Sequence, residues 1–451
     1  MKNKHHCNHD RRNFLAASAG IMLAGPLLGG LGGFPTLFAE PRAGLAPNAT
    51  AELPALVVIY LRGGADPLNI IVPYSDKAYA MVRPQIGIQT ETTADEAGIV
   101  VLDNKYGMHP AMSALKPFWD SKQFAPILGT GSPHPTRSHF DAQDFMEYAA
   151  PGDRLVKNGW LNRFLRDTAA QNATPLRALA MQGLLPRSLR GKQPVLAVPQ
   201  LRRNDSEGLL DLFDDVYRNG GIMEEAGAME TGGEARGREE AVEVGRHTIE
   251  TLRHFWDVIE KEPPGGQDDT LYGRDALSQR LRMISRVIRN NAGLQVAALD
   301  YGGWDMHQGE GSVDGSMQRN LKELCDAIAA FAKDLGPALA RTQVMVMTEF
   351  GRTVAENGNR GTDHGRGSCM LLLGGGVEGG KVHGDYGSLE TKNLEDGRDL
   401  RVSIDFRQVF AEVLKGTFSF DAPKDFFPLF TPNTKNWLGL MKSTVKPAKK
   451  G

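Results

Sequence analysis

Residues 55–61, Ala-Leu-Val-Val-Ile-Tyr-Leu, form an unbroken apolar run rich in β-branched side chains. Such a run has no polar face to turn towards water. It fits a strand covered on both sides, as in a parallel sheet between layers of helices. Similar runs recur at Phe124–Leu128, Leu294–Leu299, Gln343–Met347 and Met370–Leu373, with shorter ones at Leu176–Met181 and Val195–Val198. Helical patterns separate them, at about 110–119, Phe140–Tyr148, onward from Trp160, about 239–261, about 271–291, Met317–Leu335 and about 405–414. Strands alternating with helices predict a three-layer α/β/α sandwich with a mostly parallel central sheet. In such sheets ligands bind outside the carboxyl ends of the strands. The segments that follow the strands are therefore where chemistry is expected.

The chain has 451 residues, 41% of them hydrophobic and 24% charged, with a formal net charge of -2. That is enough chain for a large core, and there is no bulk basic field for nucleic acid. A single domain is expected over 40–451, with residues 219–240, rich in Gly, Glu and Ala, as an exposed insertion. Of the three cysteines, Cys7 lies near the start, leaving only Cys325 and Cys369, which excludes a disulfide framework or a CxxC metal motif. Arg11-Arg12-Asn13-Phe14-Leu15 precedes an uncharged stretch from Ala16 to Phe38. This pattern predicts a twin-arginine signal peptide over residues 1–39, which carries a folded protein to the periplasm, the cell envelope or the exterior. The expected partner is the twin-arginine export machinery. Membrane contact is expected only through this segment if it stays uncleaved, and its many glycines make it a weak span.

The glycine-bearing loops carry the candidate site. Gly302-Gly303-Trp304-Asp305-Met306-His307 follows one strand, and Gly361-Thr362-Asp363-His364-Gly365 lies just before another apolar run. Asp and His side by side can both face one cation if the backbone turns sharply, which glycine permits. Two such pairs suit Zn²⁺ or Mn²⁺ better than an all-oxygen Ca²⁺ site. Asp66, after Gly63-Gly64, is either a metal carboxylate or a cap. His383 is a candidate further ligand, and Glu349, at a strand end, either a ligand or an acceptor behind one. Ser138-His139 follows Arg137 at a strand-to-helix junction. Ser138 is either a nucleophile, with Arg137 favouring an anionic substrate and His139 counted among the catalytic residues, or a plain N-cap completed by Asp141. Thr136 and Ser132 are rival nucleophiles.

Several of these stretches form a recurring pattern: Gly63-Gly64-x-Asp66, Arg137-Ser138-His139-Phe140, Gly159-Trp160-Leu161, Gly303-Trp304-Asp305-x-His307, Glu349-Phe350-Gly351-Arg352, Gly361-Thr362-Asp363-His364-Gly365 and Asp405-Phe406-Arg407. With the twin-arginine start, the chain resembles the bacterial family called domain of unknown function 1501. The resemblance implies an alkaline phosphatase-like fold shared with phosphatases, sulfatases and phosphodiesterases. It implies two divalent metal ions, one held by Asp66, Asp363 and His364 and the other by Asp305, His307 and His383, with Ser138 as nucleophile. The Asp305-to-His307 spacing is tighter than usual there, which leaves His307 either a ligand or a support. The sulfatase signature is absent, since Pro133 stands where its nucleophile belongs. The expected activity is metal-dependent hydrolysis of a small phosphate or related anionic ester, sulfate included. The alternative is a catalytically silent envelope protein that keeps the fold.

Overall fold

The computed structural model describes residues 52–90, 98–168, 174–199, 203, 208, 211, 232–266 and 268–442. The expected signal segment and the first part of the expected insertion lie outside the described residues. The remainder of that insertion, from Gly232, is the start of a helix.

An eight-stranded sheet runs through the protein. In chain order its strands are β1 (Ala55–Leu61), β5 (Phe124–Gly131), β6 (Ala178–Ala180), β7 (Leu196–Ala197), β8 (Val296–Tyr301), β9 (Thr342–Thr348), β10 (Ser368–Gly374) and β11 (Ile404–Asp405). Their order across the sheet is β11-β5-β10-β9-β1-β8-β6-β7. A small antiparallel sheet of β2 (Ile71–Val72), β3 (Val100–Val101) and β4 (Gly107–Met108) stands apart, in a stretch whose sequence shows no clear strand pattern. β1 is central and pairs in parallel with β8 and β9, Ile59 lying opposite both Leu299 and Val346.

β10 alone runs against its neighbours, antiparallel to both β5 and β9. Ser368 at its start pairs with Thr130 near the end of β5. The segment before β10, rather than the one after it, therefore lies at the carboxyl ends of the other strands. This reversal places Asp363-His364 on the functional edge.

Successive side chains of β1 feed two separate cores, as a strand covered on both faces requires. Val57, Ile59 and Leu61 pack with residues of the helices Gly232–Glu260 (α6), Ala276–Arg289 (α7) and Ser316–Leu335 (α8). Leu56, Val58 and Tyr60 pack with residues of the helices Trp160–Asp167 (α5) and Phe406–Phe418 (α9). The three-layer α/β/α architecture expected from the apolar runs is thus the one observed. The helix expected near 110–119 is a 3-10 turn, Pro110–Leu115, followed by the short helix Lys116–Asp120 (α3). The remaining short helices, Pro67–Ile70 (α1) and Lys77–Val82 (α2), follow β1, and His139–Glu147 (α4) follows β5.

Candidate metal centre

Three loops meet at the carboxyl edge of the sheet. One follows β5 and ends at α4, whose first residue is His139. The second follows β8 and brings Asp305 and His307. The third joins β9 to β10 and brings Glu349, Arg352, Asp363 and His364. The loops approach so closely that side chains are excluded between them. A Cβ on Gly63 would lie 2.4 Å from the Asp305 backbone nitrogen, and one on Gly361 would lie 2.5 Å from the His307 carbonyl. These glycines serve close approach rather than a sharp turn between Asp363 and His364.

Side-chain nitrogens gather around His364 Nε2 and Asp305 Oδ1. His364 Nε2 lies 2.9 Å from His139 Nε2 and 3.0 Å from His307 Nε2. Asp305 Oδ1 lies 3.1 Å from His307 Nε2, 3.3 Å from His364 Nε2 and 3.5 Å from His139 Nε2. Each imidazole turns its other nitrogen to an acceptor. His139 Nδ1 faces Glu349 Oε1 at 2.8 Å, His307 Nδ1 faces Asp363 Oδ1 at 3.0 Å, and His364 Nδ1 faces the Arg137 carbonyl at 2.9 Å. Each Nδ1–H donates outward, so the Nε2 lone pairs of His139 and His364 and the Asp305 carboxylate oxygen lie together, all within 4.8 Å of one another, and the His307 Nε2 lone pair faces His364 and Asp305 from one side. Lone pairs at this distance repel unless a positive charge lies between them. A tetrahedral cation with bonds of about 2.0–2.1 Å would space its ligands roughly 3.3 Å apart. Two imidazoles and one carboxylate, with His307 beside them and each imidazole backed by an acceptor, suit a borderline divalent metal such as zinc. The residues fit a cation.

Local electrostatics act on the donors in opposite directions. The hydrogen bond to Glu349 raises the His139 pKa, with burial opposing it. Burial pushes the Glu349 carboxyl up, but hydrogen bonds from His139 and Gln143 outweigh it and hold the pKa below the ordinary value. His364 titrates lower than a free imidazole, because burial and then the nearby His139 and Arg352 disfavour its cation. It is therefore neutral near pH 7, as a ligand must be. Partial burial would raise the Asp305 pKa, but Arg352 outweighs it and keeps the carboxylate ionised. Phe350 packs under the cluster, its ring centroid 4.9 Å from that of His139 and 5.1 Å from that of His364.

The structure brings together only part of the expected ligand set. Asp305 and His364 form the cluster with His139, which was expected among the catalytic residues, and His307 lies beside it, its Nε2 3.0 Å from His364 Nε2 and 3.1 Å from Asp305 Oδ1. Asp363 stands behind His307 rather than beside His364 in a shared shell. Glu349 is buried and supports His139, also accepting from the Gly63 N–H at 2.9 Å. Asp66 is elsewhere. It is buried, caps α1 through the Leu68 and Asn69 N–H groups, and is ion-paired with the buried Arg83. His383 is also apart. It is buried alongside β5 in a bridge with Ile127, and its ring nitrogens face the carbonyls of Leu438 and Glu378, each at 3.1 Å. Among the described residues, one cluster of metal-ligating groups is found rather than the two that a pair of cations needs.

Ser138 is exposed at the N-cap of α4, and its side chain makes no capping hydrogen bond, so the capping reading with Asp141 does not hold. The Arg137 guanidinium does not stand free for a substrate. It pairs with Asp399 Oδ2 at 2.5 Å and Asp396 Oδ2 at 2.8 Å. Two groups beneath the site escaped the sequence reading. Arg352, fully buried, donates to the Gly64 carbonyl at 2.6 Å, the Thr362 carbonyl at 3.0 Å, the Trp304 carbonyl at 3.2 Å and Asp305 Oδ1 at 2.6 Å, and also to the Gly63 carbonyl. One side chain thus ties its own β9–β10 loop to the loops after β1 and β8. Asn357 holds Asp363 Oδ1 at 3.3 Å and the His307 carbonyl at 2.8 Å. Arg352 sits in the Glu349-Phe350-Gly351-Arg352 pattern, which was the available signal.

No curated protein matches the chain. Among solved structures, it is similar to the C-terminal periplasmic domain of EcEptC from Escherichia coli in complex with Zn, at 11% identity and a TM-score of 0.30, covering 74% of this chain and 77% of that one. It is also similar to the PsFucS1 sulfatase from Pseudoalteromonas sp., at 12% identity and a TM-score of 0.33, covering 87% of this chain and 74% of that one. A family model described as "Protein of unknown function (DUF1501)" matches residues 54–424, and the chain belongs to that family.

Proposed function

We propose that this protein is an exported, metal-dependent hydrolase or transferase acting on anionic esters, phosphate or sulfate, at a single-cation centre. The observation that carries the reading is the grouping of His139 and His364 Nε2 with Asp305 Oδ1, with His307 alongside and every imidazole held from behind by an acceptor. The site is open, with the Asp305 and His307 side chains 47% and 43% exposed. An open edge suits a catalytic centre, since a structural cation site is closed on all sides. When bound, the cation supplies a Lewis acid that stabilises charge on the ester oxygens.

The chain's own residues do the rest. Ser138, exposed and next to His139 in sequence, is the nucleophile. Its hydroxyl proton passes to solvent, its Oγ bonds to the central atom of the ester, and the alcohol oxygen departs and takes a proton. Water, or an acceptor alcohol in a transferase, then releases the anion from Ser138. Arg352 keeps Asp305 ionised and aimed at the cluster. Residues 1–39, with their twin-arginine pattern, direct the folded and loaded protein to the periplasm or cell envelope. No helix of the described residues is long and apolar enough to cross a membrane.

Metal analysis of the purified protein followed by a panel of aryl phosphates and sulfates tests the reading. Stoichiometric zinc or manganese with turnover, and loss of turnover in Ser138→Ala with the metal retained, are expected. A protein that holds its metal but turns over no ester would be the silent envelope protein instead.

A further inference from the structure

The short turn at residues 395–399 has no role in the centre described so far. Asp396 and Gly397 both have positive φ, 52° and 67°, and the Arg398 N–H donates to the Glu395 carbonyl at 3.0 Å. This is the two-residue turn that Asp-Gly favours, so its tip is held by local geometry. Asp399, fully buried, closes the turn and grips two guanidinium groups at once. Its Oδ2 takes Arg137 Nε at 2.8 Å and its Oδ1 takes Arg398 Nε at 3.0 Å. Both arginine residues also hold a ligand of the cluster. The Arg137 carbonyl accepts from His364 Nδ1 at 2.9 Å, and Arg398 Nη2 donates to the His364 carbonyl at 2.7 Å.

Two guanidinium groups thus sit side by side against one buried carboxylate, one backbone step from a cluster ligand. The remaining positive charge is met at the surface by Asp396, whose Oδ2 lies 2.8 Å from Arg137 Nη2 and whose side chain is 65% exposed. An exposed pair of this kind contributes little, whereas Asp399 is held on both oxygens inside the protein. The side chains of Arg137 and Arg398 are 30% and 45% exposed, so part of each fork faces solvent. Arginine forks match the spacing of tetrahedral oxyanions. We infer that Arg137 and Arg398 form a seat for a tetrahedral oxyanion beside the cation cluster, and that the Asp396 carboxylate occupies this seat until an anion displaces it. The exchange swaps one negative group for another, so the buried Arg137–Asp399–Arg398 arrangement stays intact. The inference rests on the hydrolase reading only for identifying the anion as that of an ester.

Binding of inorganic phosphate and of inorganic sulfate to the full chain, followed by calorimetry, tests the seat without requiring turnover. Asp396→Asn removes the competing charge and keeps the turn, because Asn adopts positive φ more readily than other side chains. That variant should bind the preferred oxyanion about three- to fivefold more tightly, the scale of a lost exposed ion pair. Arg398→Gln should weaken binding by about tenfold or more, as loss of a charged hydrogen bond implies. Arg398→Lys, which keeps the charge without the fork, should fall between Arg398→Gln and the unaltered protein. Metal content should not move in Asp396→Asn, and the Arg398 variants are compared with the unaltered protein at equal metal occupancy, measured on each. Unchanged or weaker binding in Asp396→Asn overturns the proposal, as does full affinity in Arg398→Gln. Oxyanion binding that responds to both variants, with no ester turned over, would defeat the hydrolase reading and leave the seat standing. Turnover with affinities indifferent to both variants would do the reverse.

Discussion

His139 shows how much one hydrogen bond decides. Its ring could present either nitrogen to the cluster, and Glu349 at 2.8 Å from Nδ1 settles which one. Glu349→Gln replaces an ionic acceptor with a neutral amide. Partners of this kind, standing behind a ligand, typically contribute about 10–100-fold to metal affinity. Competition with a chelating dye should therefore show a loss of that size. The same contact sets the pH dependence. Because Glu349 raises His139 above its ordinary value of 6.5, the imidazole takes its proton at a higher pH than a free one does. Metal binding must displace that proton, so metal affinity, read by the same dye competition, should fall as the pH is lowered. His383 makes the contrast. It is buried between two carbonyls and away from the cluster, so His383→Gln should leave metal content untouched. It should lower unfolding free energy by about 1–3 kcal/mol, the scale of leaving a buried polar group unsatisfied, as read from urea titration.

At the level of elements, the centre depends on how closely the loops approach. Gly63 sits at φ +127°, a conformation that strains any side chain, and a Cβ there would strike the Asp305 backbone. Gly63→Ala should therefore cost about 1–3 kcal/mol of stability through backbone strain. It should also reduce bound metal, because the relief available is to push the Asp305 loop outward. Metal analysis of the folded variant, with a urea melt beside it, separates the two effects. Normal metal content would mean that the loop yields elsewhere. The reversed strand β10 matters at the same scale. It turns Asp363-His364 into a segment that enters the sheet at the carboxyl edge, although the run Met370–Leu373 by itself says nothing about direction.

Across the whole molecule, the cluster is a cross-link between loops after β5, β8 and β9, and ligand binding to the native state alone stabilises by mass action. Removing the metal with a chelator should lower the unfolding free energy by about 2.7 kcal/mol relative to protein at free metal one hundred times its dissociation constant. Calorimetry before and after re-addition of zinc would read it. A melting temperature indifferent to chelation would count against a cation at the cluster.

Much of this architecture was legible in the chain itself. Continuous apolar runs announced the buried strands. Their alternation with helices announced the layers, and the Gly-Asp-His stretches announced which loops carry chemistry, because burial and turn-forming are local properties. Harder to foresee were the short elements. β11 and the small sheet are only two residues per strand and carry no periodic signal. The Asp396-Gly397 dipeptide is a turn signal, but nothing local shows that it faces Arg137. Tertiary structure alone decided which atoms meet: His139 beside His364, Asp363 behind His307, Asp66 spent on Arg83, and His383 spent on two carbonyls. A side chain's type limits what it can bind. Its partner is fixed only when loops hundreds of residues apart are brought within hydrogen-bond distance, and that depends on packing a linear pattern does not encode.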